Sequence, residues 1–460
     1  MKLTNREKAY QAQYLNQVCH TTLDPRDPGV VRIHLVPPRP EEGPETPFLV
    51  ILNGQEILPI SFSWAVLLSA FMRNLNQYDG REIPPEDYAS LIRQTALEVR
   101  KVYPLHPLSR FTKDLDEILD VLVSVAHGQR TDAQIAPLSI FEYADRMRAP
   151  HRMDLMVSAM TDENGRWNCN HHCLHCYAAG QPLSKSRGLS TDEWKKIIDR
   201  CREACVAQLT FTGGEPTMRE DLPQLIAHAS FFITRLNTNG VLLDGALCKK
   251  LYDASLDNVQ VTLYSSDRAV HERLVGASRF DDTLNGIKNA LDAGLSLSVN
   301  TPLCALNRDY VKTLEDMAAL GVRYFTCSGL IPTGGALTEQ SRQAALPREE
   351  LLSVLKDAFA FCEKNALELQ FTTPGLFSAS DLLAAGATQV PSCGAALSNM
   401  AVAPDGTVVP CQSWLSEGLG NLLELPFDRI WDSPRCREIR ARSARREEAC
   451  QLSAKEEKTS

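Results

Sequence analysis

The sequence predicts an α/β protein: an open, partial (β/α)6 TIM-like barrel with an N-terminal α+β domain before it and a small C-terminal cysteine-containing domain after it. Three observations predict this. Between about residues 150 and 340, six short apolar runs alternate with helix-like stretches, the pattern of βα units around a parallel sheet. Six strands are fewer than the eight that close a barrel, so the sheet should stay open. Ahead of it, an Asn-Gly pair between two apolar runs leads into three amphipathic stretches, and behind it cysteines flank a second hairpin signal.

Residues 1–46 are polar and end in Pro37-Pro38-Arg39-Pro40-Glu41-Glu42-Gly43-Pro44, which reads as a tail and an extended, proline-rich linker. Residues 47–130 form the α+β domain. Phe48–Leu52 and Gln55–Leu58 flank Asn53-Gly54, two residues that tolerate positive φ, so a β-hairpin is expected. Helices are expected over about 62–76, 85–102 and 111–127, the last with Leu115, Ile118, Leu119, Leu122 and Val125 at helical spacing. A hairpin with three helices is compatible with a winged-helix-like module that docks a peptide, and with any small α+β domain.

In the central region, 150–340, the strand candidates are 155–160, 209–212, 233–238, 259–264, 295–300 and 324–328. Ser190 with Glu193 three residues on makes a capping box at the first helix, and Gly294 and Gly321 are suited to end later ones. Residues 341–384 read as a helical connection, with a helix over 347–365. The last region, 385–460, begins near Ser392-Cys393-Gly394 and contains a hairpin over 402–411 turning at Asp405-Gly406.

A chain of 460 residues with 44% hydrophobic and 23% charged residues is expected to be soluble and globular. The net charge of −9 gives no support for nucleic-acid binding, and no run of eighteen apolar residues suggests a membrane span. The first residues carry no secretory apolar segment, so a cytoplasmic location is expected. Fourteen cysteines in such a setting point to metal or redox use rather than a disulfide scaffold. Most need no such role: Cys201 and Cys205 fall in line with Trp194, Ile197 and Ile198 on one helix, and Cys19, Cys248, Cys304, Cys327 and Cys362 stand alone.

Cys169, Cys173 and Cys176, in Trp-Asn-Cys-Asn-His-His-Cys-Leu-His-Cys-Tyr, are different. Three thiolates at this spacing can hold three irons of a 4Fe–4S cluster, with the fourth iron open to a small chelating molecule. The alternative is a zinc knuckle closed by His171, His172 or His175. About forty residues on, Gln208-Leu209-Thr210-Phe211 breaks into Thr212-Gly213-Gly214-Glu215-Pro216, where glycines allow close backbone approach and an acid stands at a strand end.

The cysteine triplet followed by a strand ending in Gly-Gly-Glu-Pro resembles the radical S-adenosylmethionine (radical SAM) superfamily. The resemblance implies that the open iron chelates the methionine part of SAM and that the reduced cluster cleaves it to a 5′-deoxyadenosyl radical, which abstracts a substrate hydrogen. It also implies a (β/α)6 core in which Gly213, Gly214, Glu215 and Pro216 grip the methionine ammonium and His175 lies near the adenosyl group. Ser265 or Ser266 would meet the ribose, Asn300 is a further cofactor-binding candidate, and Gly329–Pro332 would offer backbone to adenine. Two positions depart from the pattern. Val275 and Gly335 stand where many relatives carry arginine, which leaves Arg273 as a candidate for the methionine carboxylate.

The tail resembles the SPASM or shorter twitch auxiliary-cluster regions, in which Cys393, Gly406, Cys411, Gly420-Asn421 and Ile430-Trp431 fit the pattern. Count allows one auxiliary 4Fe–4S cluster, held by Cys393, Cys411 and Cys450 with Cys436 as a further candidate; Ser453 replaces an expected cysteine. An extra N-terminal domain with such a tail resembles maturases of ribosomally made peptides. The expected partners are a precursor peptide and an electron donor of flavodoxin or ferredoxin type. The alternatives are a radical SAM step on a small molecule in cofactor or haem biosynthesis, and a non-catalytic Fe–S electron carrier or sensor.

Overall fold

The computed structural model describes residues 3–23, 31–39, 41–43, 45–78, 83–129, 137–445 and 450–452. Pro40 and Pro44 of the expected linker, and Ser453 with the rest of the C-terminal segment, lie outside these. Contacts divide the chain into two units, one formed by residues 1–151 with 201–207 and 231–233, the other by the remainder.

The first unit is built on a four-stranded antiparallel meander: β1 (Cys19–Thr22), β2 (Arg32–Val36), β3 (Phe48–Leu52) and β4 (Glu56–Ile60). β3 and β4 are the expected hairpin, with Asn53 and Gly54 both at positive φ. Helices Phe62–Leu75, Pro85–Val102 and Leu108–Ala126 follow. Ile33, Leu35, Val50, Leu52 and Leu58 of the sheet share one core with Val66, Phe71, Leu91, Ile118 and Leu122 of the helices. The expectation of a mere tail over 1–46 is corrected here. Thr4 and Glu7 form a capping box on helix Asn5–Tyr10, and β2 pairs with the hairpin through Ile33↔Leu52 and Leu35↔Val50. Arg32 and His34 alternate with these apolar residues and are themselves buried, which is why composition hid the strand. The outer edge of β4 is partly taken, since the Leu138 amide donates to the Ile57 carbonyl at 2.8 Å.

The second unit holds a mostly parallel ten-stranded sheet. β5 (Arg152–Ser158), β6 (Gln208–Gly213), β7 (Ile233–Thr238), β8 (Asn258–Thr262), β9 (Ser296–Pro302), β10 (Tyr324–Ser328) and β11 (Glu368–Phe371) lie side by side in chain order. Beyond β5 come β12 (Asn399–Val402), parallel to it, then β13 (Thr407–Val409) and β14 (Gly420–Asn421), both antiparallel. All six expected strands are present to within a few residues. β11 was not expected, because residues 341–384 read as helical throughout. It is four residues long with alternate exposed and buried side chains, too short to stand out beside helix Arg348–Lys364.

Alternation along the strands separates two faces. Leu236, Val259, Val261, Val299, Phe325 and Cys327 are buried. The residues between them, among them Arg235, Asn237, Gln260, Asn300 and Thr326, are polar and half-buried. The cysteine loop follows β5, and the Gly-Gly-Glu-Pro turn follows β6, so both stand at the C-terminal ends of neighbouring strands.

Candidate active site

The loop carrying Cys169, Cys173 and Cys176 has almost no regular structure, so its shape comes from bonds to its surroundings. The His172 and Leu174 amides donate to the Val275 and Leu274 carbonyls at 2.8 and 2.9 Å. The Val275 side chain meanwhile packs in an apolar cluster with Tyr264, Leu274 and Cys304. On the other side the Gly335 amide donates to the Cys176 carbonyl at 2.8 Å, and a Cβ on Gly335 would stand 2.8 Å from the Leu174 carbonyl. The two missing arginines thus have a physical reason: position 275 is a core position, and position 335 has no room for a side chain. Arg273 is exposed on its helix, in electrostatic reach of Cys304.

Among the described residues no three His, Cys, Asp or Glu side chains close to ligand spacing around one point. The three thiols are nonetheless neighbours. Burial pushes Cys169 up to about 12 and raises Cys176, and burial with the nearby Cys176 and Cys169 raises Cys173. Thiols held this way stay protonated unless a cation takes the proton's place. His175 is buried with neither ring nitrogen bonded, and burial lowers it to about 4, so it is a neutral imidazole with spare polar atoms beside the cysteines. These features fit an iron–sulfur cluster and a polar ligand beside it.

Glu215 ties the second motif to the first. One carboxylate oxygen accepts from the Thr217 amide and hydroxyl and from the Thr238 hydroxyl, at 3.0, 2.5 and 2.6 Å. The other accepts from the Asn239 amide at 2.8 Å. Burial raises its pKa against these donors. The Asn239 side chain donates in turn to Asn170, inside the cysteine loop, at 2.5 Å. Pro216 opens the 3-10 turn that Glu215 caps. The two glycines serve chain packing first: a Cβ on Gly214 would stand 2.9 Å from the Ala159 carbonyl, at the end of β5. Thr217, Thr238, Asn239 and Asn170 escaped the sequence reading. The signal was there in Asn237-Thr238-Asn239-Gly240, a polar run ending a strand in a turn.

The remaining candidates are placed as follows. The Ser265 hydroxyl accepts from the Asp267 amide at 3.1 Å within the loop, and the Ser266 amide donates at 3.1 Å to the hydroxyl of Thr313 on helix Tyr310–Ala319. Asn300 accepts from the Thr326 hydroxyl at 2.8 Å on the polar face of the sheet. In the tail, Cys393 and Cys450 face each other, with the Ser443 hydroxyl 4.0 Å from Cys393, and Cys411 lies within electrostatic reach of both. Sharing a hydrogen bond lowers the Cys393 pKa and raises that of Cys450. Cys436 is apart from them. It is buried on helix Pro434–Ala444 under the Arg440 guanidinium, 3.7 Å away.

A half-buried three-cysteine loop braced against a buried strand-end acid, at the C-terminal edge of a mostly parallel sheet, defines a class of iron–sulfur enzymes. Family models agree: residues 168–318 match the radical SAM superfamily, and residues 393–452 match SPASM, an iron–sulfur cluster-binding domain. The chain is 30% identical over 272 residues to a PqqA peptide cyclase of Granulibacter bethesdensis, covering 57% of this chain and 70% of that one. It is 28% identical over 291 residues to an Fe-coproporphyrin III synthase of Methanosarcina barkeri, covering 58% and 72%. Streptococcus suis SuiB, solved bound to its precursor peptide SuiA, shares the fold with a TM-score of 0.58 at 15% identity over 86% of this chain and 88% of that one. The chain belongs to the radical SAM superfamily and carries a SPASM domain. It is therefore an enzyme of the radical SAM type, with a SAM-binding 4Fe–4S cluster and a C-terminal iron–sulfur domain as its equipment.

Proposed function

We propose that this enzyme modifies a ribosomally made peptide. The observation that carries the reading is the pairing of a radical SAM core with a separately cored α+β unit. That unit has its own sheet and its own helices, and no catalytic constellation among its described residues. PqqA peptide cyclases are among the relatives, and the likeness to SuiB spans 86% of the chain, which supports a peptide over a small molecule. Residues 47–130 would capture the peptide's leader, 150–340 would form the partial (β/α)6 core, 341–384 would connect, and 385–460 would hold an auxiliary cluster.

In this reading Cys169, Cys173 and Cys176 bind the SAM-cleaving cluster, and Cys393, Cys411 and Cys450 bind the auxiliary one. Bound there, the reduced cluster supplies the electron that cleaves SAM and starts hydrogen abstraction. Glu215, fixed by four donors, presents negative charge toward the methionine ammonium, with Gly213, Gly214 and Pro216 shaping that strand end. His175, neutral and unpartnered, faces the adenosyl group. Ser265, Ser266 and Asn300 are proposed for the ribose side of the site. A low-potential donor of flavodoxin or ferredoxin type supplies electrons. A cytoplasmic setting is consistent with fourteen free cysteines.

The test uses the reconstituted, dithionite-reduced protein with SAM and any short peptide encoded beside its gene. A change in peptide mass together with 5′-deoxyadenosine supports the reading. Formation of an iron–coproporphyrin from a tetrapyrrole precursor, with no change in any such peptide, would favour the small-molecule alternative.

A further inference from the structure

The polar face of the sheet carries a charge that the radical SAM core itself does not account for. Barrel interiors are ordinarily filled by branched apolar side chains. Here three successive layers are mostly polar. In the lowest, Asp154 pairs in register with Thr210, and Arg235 with Asn258, which in turn pairs with Ser296. Above them stand Thr212, then Asn237, Gln260 and Ser298 in register, and above those Thr262, Asn300 and Thr326. The Gln260 amide donates to Thr326 at 3.2 Å and Thr326 donates to Asn300 at 2.8 Å, so the upper layers largely satisfy one another.

The lowest layer does not balance. Arg152 lies 3.0 Å from Asp154 and neutralises it. Arg235, half-buried on the same face, makes no hydrogen bond and no ion pair among the described residues. Thr210 adds a buried hydroxyl without a partner. Burial and the charge of Arg152 lower the Arg235 pKa to about 10, with Asp154 opposing. Among Arg152, Asp154 and Arg235, two guanidinium groups and one carboxylate leave one positive charge on this polar face. A desolvated cation without a counter-ion is costly, and a guanidinium fork matches a carboxylate in shape as well as charge. The strand also fixes the distance to the chemistry. Arg235 precedes Thr238 by three residues, about 10 Å at the rise of a strand, and Thr238 holds Glu215 beside the cysteine loop.

We infer that Arg235 receives a carboxylate of the substrate on the polar face of the sheet. This rests on the peptide reading for its substrate class. The carboxylate would come from an aspartate or glutamate next to the modified residue, or from the peptide's C-terminus. The methionine carboxylate of SAM is a different ligand, bound at the strand ends.

Two measurements separate these. In the first, N-acetyl-L-glutamate and N-acetyl-L-glutamine are titrated into the full-length, cluster-loaded protein with SAM present, and binding is read by saturation-transfer NMR. The acid should bind and the amide should not. Arg235→Gln should weaken the acid at least about tenfold, and Arg235→Lys, which keeps charge but loses the fork, should lie between. Equal binding of acid and amide, or no effect of Arg235→Lys in a protein with unchanged melting temperature, would overturn the inference. A loss of SAM affinity in Arg235→Lys would overturn it too, by assigning the arginine to SAM.

The second uses the peptide that changes mass in the assay above. Versions with each Asp or Glu changed to Asn or Gln, and one with an amidated C-terminus, identify the source. One of them should raise KM at least about tenfold with wild-type enzyme and lose that penalty with Arg235→Gln. If none does, a peptide carboxylate is excluded. If no peptide is modified at all but the acid still binds through Arg235, the carboxylate site stands and the substrate is a small acid.

Discussion

The two cysteine sites of this chain are built in opposite ways. Cys169, Cys173 and Cys176 come from one eight-residue stretch, and their loop is clamped by backbone bonds to Leu274, Val275 and Gly335. Cys393, Cys411 and Cys450 come from segments spread over nearly sixty residues: β12 and β13 carry Cys393 and Cys411 beside β5, and Cys450, beyond helix Pro434–Ala444, faces Cys393. The first site is a local motif held by distant supports. The second is made by the fold itself. A local site should tolerate damage elsewhere but fail when its clamp fails, whereas an assembled site should fail when any one of its strands shifts.

The largest effect to expect is from the clamp. Gly335→Val places side-chain carbon against the Leu174 carbonyl and the Cys176 backbone, so the loop must move or the fold must strain, at a cost of about 1–3 kcal/mol. The core cluster should be lost while the tail keeps its iron, as read by iron content and by Mössbauer spectra of the reconstituted protein. Retention of both clusters would mean that the loop is not held as described.

Next comes the tail. Cys393→Ala, Cys411→Ala and Cys450→Ala combined should remove about four irons and leave SAM cleavage in place. Cys436→Ala should leave iron unchanged and cost about 1 kcal/mol in stability, since Cys436 is a buried packing residue under Arg440. If Cys436→Ala lost iron as the triple variant does, the assignment of its role would be wrong. A smaller effect is expected at Glu215. Glu215→Gln keeps the shape but removes the charge, so SAM should bind about tenfold more weakly in an equilibrium titration, with cluster content unchanged.

The smallest effect concerns the iron-free protein. Cys393 shares a hydrogen bond with Cys450 and is shifted down, whereas burial pushes Cys169 and Cys411 up to about 12. At pH 7 the thiolate fraction, and with it alkylation by iodoacetamide, should therefore favour Cys393. Mass mapping that found Cys169 or Cys411 modified first would remove the distinction.

The same contrast explains what the sequence made legible. The core triplet and Gly-Gly-Glu-Pro are each contiguous, so the two motifs taken together were legible, along with the six strands around them. The tail pattern offered Cys393, Cys411, Cys450 and Cys436 alike, because a cysteine 14 residues from Cys450 looks the same as a ligand until the helix that carries it is placed. Asn170, Thr238 and Asn239 were missed because their link to Glu215 crosses from β7 to β6 and back to the cysteine loop. β2 was missed because Arg32 and His34 are buried against expectation, and β11 because four residues carry too little periodicity to separate strand from loop.

The central claim is that the loop of Cys169, Cys173 and Cys176 is where SAM is cleaved. The direct measurement is 5′-deoxyadenosine formed from SAM by the anaerobically reconstituted, dithionite-reduced protein, compared with the Cys169→Ala, Cys173→Ala, Cys176→Ala variant. The product should disappear in the variant while the fold and the tail's iron remain. Continued formation of 5′-deoxyadenosine by the variant would contradict it.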